Sequence, residues 1–234
     1  MTKISIVSGG SSGLGFYLAS KLLRQGKNVI ILGRNPEKLS KSAERLQTGL
    51  AQNRLIPFAC NIGYEKDVRE LVKYIQSEDM IVEYLFNNAG TGLFAKAETS
   101  TALMVDNIFE ANLKGMILLT SEILRITPVN EELTIVNIMS TSSLYGRAEE
   151  TVYCAAKWGA RGFTEALRTE LKGTKRNIIA VYPGGMKTDF WKVPGQSRDI
   201  SGFMEPLEVA EKILNAILVS PKLMVTDITI NRKK

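Results

Sequence analysis

The chain has 234 residues, 44% of them hydrophobic, and a formal net charge of +6, enough for one large core and short for two ordinary domains. It has no histidine, which excludes Ser-His-Asp and Cys-His hydrolases and histidine-rich metal sites, so any acid–base chemistry must use Tyr, Lys, Cys or carboxylates. Lysine and arginine are spread along helical faces and gather only in the tail Asn231–Lys234, a charge that reads as solubility rather than nucleic-acid binding.

The opening run Met1–Val7 leads straight into a β-like segment without the apolar core of a signal peptide, and no stretch is long enough to span a bilayer, which reads as cytoplasmic. Short β-branched runs predict strands over Ile4–Val7, Asn28–Leu32, Arg54–Phe58, Val82–Phe86, Leu133–Ile138, Asn177–Tyr182 and Leu223–Ile230. Helical patterns fall between them at 13–25, 36–48, 64–77, 100–127, 152–172 and 206–219, with Pro36 and Pro206 near helix starts, where a missing N–H is harmless. This alternation predicts an α/β fold. It is a doubly wound, mostly parallel seven-stranded sheet with helices on both faces, Rossmann-like, in a single domain over 1–234. Cys60 and Cys154 are too few and too unpatterned for a disulfide framework or a zinc site, and read as small buried hydrophobes.

The first strand ends in Ser8-Gly9-Gly10-Ser11-Ser12-Gly13-Leu14-Gly15, and a helix follows at once. Glycines at 9, 13 and 15 let the backbone turn sharply and approach a pyrophosphate, which the helix amino-terminus stabilises through its free N–H groups and dipole. The second strand ends in Leu32-Gly33-Arg34-Asn35, where dinucleotide folds place an acid for the ribose hydroxyls. Arg34 instead offers a planar fork suited to a 2′-phosphate, with Lys38 one turn on, so the expected cofactor is NADP(H). Further along, Tyr153 and Lys157 lie four apart on one helix face. There an ammonium can favour the ionised phenol and turn it into a proton-transfer group, with desolvation working against that lowering.

Over nearly its whole length the chain resembles the short-chain dehydrogenase/reductase family, in its compact single-domain branch. Ser8-Gly9-x-x-x-Gly13-x-Gly15 is similar to that family's Thr-Gly-x-x-x-Gly-x-Gly cofactor turn, and Asn87-Asn88-Ala89-Gly90 matches its Asn-Asn-Ala-Gly motif. Ala111-Asn112-Leu113-Lys114-Gly115 matches the segment with its catalytic Asn, and Ser140 stands thirteen residues before Tyr153, the spacing of its Ser. Pro183-Gly184 with Thr188 resembles the segment that holds the nicotinamide end. Cys60-Asn61-Ile62 replaces a common Asp, and Asn61 can still accept from the adenine amino group through its amide oxygen. The family's Asp-Gly-Gly ending is absent, and the segment from Met186 to Glu205 is brief, which suggests a small lid over an open substrate pocket.

The resemblance implies a carbonyl reduction with hydride from NADPH. Tyr153 would supply the proton, Lys157 would tune it and hold the nicotinamide ribose, Ser140 would donate to the substrate oxygen, and Asn112 would anchor a relay water. Phe94, Leu144, Tyr145, Phe190, Trp191 and Phe203 fall in loops expected around the nicotinamide, and Phe94, Tyr145 and Trp191 with Ser140 and Tyr153 form the expected substrate site for an apolar or aromatic carbonyl. No metal, nucleic acid or membrane is expected. Homodimer formation through helices 100–127 and 152–172 follows by analogy, and a catalytically silent NADP(H) sensor is the competing reading.

Overall fold

The computed structural model describes residues 1–47, 54–192, 199–218 and 223–233. Seven strands form one sheet: β1 (Thr2–Ser8), β2 (Val29–Gly33), β3 (Leu55–Ala59), β4 (Met80–Asn87), β5 (Leu133–Ile138), β6 (Arg176–Pro183) and β7 (Asp227–Ile230). Their spatial order is β3-β2-β1-β4-β5-β6-β7, and every neighbouring pair is parallel. The order reverses between β1 and β4, so the strands' carboxyl ends open a crevice there, where doubly wound sheets bind ligands.

Helices α1 (Gly13–Arg24), α2 (Pro36–Gln47), α3 (Glu65–Ser77), α4 (Ala102–Phe109), α5 (Gly115–Ile126), α6 (Thr151–Glu170) and α7 (Pro206–Leu218) cover both faces. Strand alternation decides which side chains meet which helices. Val7, Ile31, Val136 and Val181 point to the layer of α1, α2 and α7, packing on Leu18, Leu39 and Ile213. Ile4, Ile6, Leu85 and Ile135 point the other way, onto Leu71 and Ile75 of α3, Leu119 and Ile123 of α5 and Leu167 of α6. Because both faces are covered, the central strands read as nearly continuous apolar runs.

Two elements differ from expectation. The helix expected over 100–127 is interrupted by a π turn at Glu110–Lys114. There Asn112 Nδ2 donates to the Ile108 carbonyl four residues back (3.0 Å), the acceptor an α-helix would give to a backbone N–H, which favours the wider turn. The last strand begins at Asp227 rather than Leu223, because its partner's ladder starts at Ala180, while Leu223 and Met224 lie exposed with no core to face. Helix ends expected at residues 48 and 219, the tail residue Lys234 and part of the brief 186–205 segment (193–198) lie outside the described residues. Among the described residues no helix is long and apolar enough to cross a membrane.

Candidate active site

One cavity of about 1170 Å³ runs along the carboxyl ends of the strands, from Arg34 and Lys38 at one end to Tyr153 and Trp191 at the other. Its floor is the turn after β1. Gly9 and Gly13 adopt left-handed φ of +66° and +55°, which a side chain would strain. A Cβ on Gly15 would fall 2.4 Å from the Gly9 carbonyl oxygen, so the first turn of α1 seats directly on the loop. No acidic residue stands in that first turn, leaving its N–H groups to an anion. Gly9, Ser11, Ser12, Gly13 and Leu14 line the cavity, as do Asn61, Ile62, Asn88, Ala89, Gly90, Pro183, Gly184 and Thr188.

Ser8 and Gly15 were expected at the cofactor and do not line the cavity. The buried Ser8 hydroxyl donates to the Phe86 carbonyl (3.2 Å) and accepts from the backbone N–H of Asn88 (2.9 Å) and Ala89 (3.0 Å), so it shapes the neighbouring loop from behind. Asn61 has Nδ2 committed to Glu110 Oε1 (3.2 Å), while its Oδ1 accepts from Gly63 N–H (3.2 Å) and keeps one lone pair for an adenine amino group. Glu110 is a contact that no spacing rule announces. Its trace is Gly63, where a Cβ would fall 2.3 Å from Glu110 Cγ.

The chemical end is built by β5, α6 and the π turn. Ser140 caps the short turn after β5, its hydroxyl accepting from Ser142 N–H (3.1 Å) and hydrogen-bonding Tyr153. One helical turn beyond Tyr153, Lys157 is buried, its Nζ 3.4 Å from the Ile138 carbonyl and 5.8 Å from the Tyr153 ring centre. Asn112 donates to the Thr91 carbonyl (2.9 Å) and to Ile108, while its Oδ1 is buried without a partner in the described chain. A Cβ on Gly90 would come 2.6 Å from that Oδ1 and 3.5 Å from Lys157 Nζ, so glycine keeps open the gap that joins them.

The electrostatics correct one expectation. In the chain by itself burial prevails, pushing the Tyr153 phenol above its usual range. The Ser140 hydrogen bond opposes this, nearby Glu150 reinforces it, and Lys157 does not offset it. Burial also pulls the Lys157 ammonium down to about 8. Glu150 went unforeseen: its buried carboxylate accepts from the Ser142 hydroxyl (2.9 Å) and faces the cavity, a role that nothing in the Glu149-Glu150 pair signals.

Of the expected substrate wall, Trp191 lines the cavity, with Phe190 and Phe203 beside it. Phe190 packs edge-on against Tyr153 at 5.6 Å between ring centres. Phe94 does not reach the cavity; it is buried behind Trp191 and stacks on it at 5.1 Å. Tyr145 is also absent from the lining, being half exposed beneath the Arg147 guanidinium. Both lie on loops whose direction no periodicity fixes. Asn231 and Arg232, from the tail after β7, complete the wall.

Residues 3–198 match the profile of the short chain dehydrogenase family. The chain is 31% identical to carbonyl reductase family member 4 of Danio rerio, over 94% of this chain and 93% of that protein. Its fold superposes on a short-chain dehydrogenase/reductase from Vibrio parahaemolyticus with a TM-score of 0.85 and 33% identity, over 99% of this chain and 100% of the other. An alcohol dehydrogenase from the archaeon Thermococcus sibiricus, solved with 5-hydroxy-NADP, shares the fold with a TM-score of 0.89 at 21% identity, over 100% of both chains.

Proposed function

This chain belongs to the short-chain dehydrogenase/reductase family, and we propose that it works there as an NADPH-dependent reductase of apolar or aromatic ketones and aldehydes, or in the reverse direction as an alcohol dehydrogenase. The observation that carries the reading is the convergence of Ser140, Tyr153, Lys157 and Asn112 at one end of a cavity whose other end presents Arg34 and Lys38. The residues fit a dinucleotide. Gly9, Ser11, Ser12, Gly13 and Leu14 would hold its pyrophosphate, Arg34 and Lys38 a 2′-phosphate, Asn61 and Ile62 the adenine, and Asn88, Ala89 and Gly90 with Lys157 the adjoining ribose. Pro183, Gly184 and Thr188 would hold the nicotinamide end. When bound, NADPH supplies the hydride that adds to the carbonyl carbon.

The chain's own groups manage the proton. Ser140 and Tyr153 donate hydrogen bonds to the carbonyl oxygen, stabilising the negative charge that grows on it. A phenol held above its usual range stays protonated at neutral pH, so Tyr153 is ready as an acid. Its proton leaves for the oxygen, and the phenolate left behind is met by Ser140 and the Lys157 ammonium. Asn112 Oδ1, at the gap kept by Gly90, would hold the water that returns a proton by way of Lys157. Exposed Leu103, Met104 and Trp158 on α4 and α6 support pairing of two copies through those helices.

The test is an NADPH-oxidation screen over diketones, aromatic ketones, quinones and aldehydes, with Tyr153→Phe alongside. Loss of the proton donor should lower turnover by about 10²–10⁴-fold, with NADPH affinity measured separately nearly intact. Retained turnover in the variant would remove Tyr153 from its role. Tight NADPH binding with no carbonyl reduced would leave a sensor.

A further inference from the structure

Arg232 lines the cavity beside the aromatic wall, away from Arg34 and Lys38 at the opposite end. Lys192 pairs with Asp189 (2.8 Å), and Lys187, on the adjacent segment, pairs with Glu205 (2.7 Å), so the carboxylates along this stretch are already engaged. Asp199 accepts from the Ser201 N–H (2.8 Å), and Asp227 meets Arg168 at 3.4 Å. Arg232 has no carboxylate partner among the described residues. Its exposed guanidinium leans on the aromatic wall, with Nη1 donating to the Gly202 carbonyl at 3.3 Å and the group lying 6.0 Å from the Phe203 ring centre. From Phe203 the aromatic wall continues to Trp191 (5.1 Å), then Phe190 (5.1 Å), then Tyr153 (5.6 Å). The Tyr153 phenol and the Arg232 cation thus mark the two ends of one apolar surface.

Resting on the carbonyl-reductase reading, we propose that the substrate is an anionic carbonyl compound. Its carbonyl meets Tyr153, its apolar body lies along Phe190, Trp191 and Phe203, and its carboxylate or phosphate is held by the fork of Arg232. A guanidinium fork matches either anion with two parallel hydrogen bonds. Arg34 stands at the opposite end of the cavity, and Arg147 is a poorer reader of a distal anion. It spends Nη2 on the Thr141 hydroxyl (2.9 Å) and lies near the buried Glu150 on the loop that enters α6.

The experiment compares kcat/KM for acetylbenzoate, acetylphenylbutanoate and 7-oxooctanoate with that for their methyl esters, in the wild type and in Arg232→Gln, Arg232→Lys and Arg147→Gln. The wild type should prefer at least one acid over its ester, and Arg232→Gln should lower that acid-to-ester ratio about 10- to 100-fold, mainly through KM. Arg232→Lys should recover part of the ratio, and high salt should reduce it. Acids and esters turned over alike by the wild type would overturn the proposal, as would a loss confined to Arg147→Gln. Equal losses for acid and ester in Arg232→Gln would reduce the residue to a pin for Gly202, and weakened NADPH binding would assign it to the cofactor; either result overturns the proposal. If no neutral carbonyl is reduced either, the reductase reading itself fails, a result distinct from all of these.

Discussion

Lys157→Met should make the protein more stable while removing its turnover. Moving the buried ammonium from its usual 10.5 down to about 8 means that below pH 8 the folded chain carries a charge it would rather release. At 1.36 kcal/mol per pH decade the penalty is about 3 kcal/mol. Methionine has similar length and no charge, and forfeits only a long 3.4 Å hydrogen bond to the Ile138 carbonyl, worth about 1 kcal/mol or less. The net gain is then about 2–3 kcal/mol at neutral pH, a shift of about 1 M in a urea midpoint. The sign follows from proton counts. Between pH 8 and 10.5 the unfolded lysine binds more protons than the folded one, so wild-type stability from this group rises with pH and the advantage of methionine fades. Cys60, whose thiol burial raises to about 12, lowers stability above its usual range in both proteins alike and cancels in the difference. Urea melts of both proteins without cofactor, at pH about 7 and about 10, read the difference directly. A gap that stays constant with pH, or a variant less stable at both values, would refute the desolvated ammonium.

Arg34→Ala should cost NADPH about 10- to 100-fold in affinity and NADH little, with the wild-type preference shrinking in salt; equal affinities for both cofactors in the wild type would end the 2′-phosphate assignment. Gly90→Ala places a Cβ 2.6 Å from Asn112 Oδ1, and should lower kcat more than it raises the KM for NADPH in steady-state assays. Ser8→Ala leaves the Ala89 backbone N–H without its partner and the Asn88 N–H with only the Phe86 carbonyl (3.0 Å), and should cost about 1–3 kcal/mol in urea melts, with weaker NADPH binding following from a loosened loop.

Strand-helix alternation made the sheet legible in the sequence because period and burial are local properties, and the glycine turn was legible because only glycine serves where φ is positive or a Cβ would strike backbone. Tyr153 and Lys157 share a face by helix geometry alone. The helical period could not show the π turn at Asn112, since it depends on one side chain taking a carbonyl from the ladder. Nor could it show Ser8 turned inward, Glu110 reaching to Asn61, or Arg232 returning from beyond β7 to the cavity wall, because these are contacts between residues far apart in the chain. Phe94 and Tyr145 were misplaced for a related reason: an aromatic residue on a loop takes its direction from tertiary packing, here Trp191 and Arg147.

The opposite displacements of Tyr153 and Lys157 bear on how the site would work. One burial acts on both groups, and because it disfavours charge it leaves the phenol a weaker acid and the lysine amine a weaker base. A phenol that does not ionise by itself keeps its proton until a carbonyl oxygen gathers charge beside it, so idle release to solvent is suppressed. A lysine titrating at about 8 can take and return protons close to neutral pH, which one near 10.5 does far more slowly. Burial thus divides the labour the sequence suggested for a simple tuning pair. Tyr153 would deliver the proton and Lys157 would restore it, with Gly90 and Asn112 keeping the passage between Lys157 and solvent.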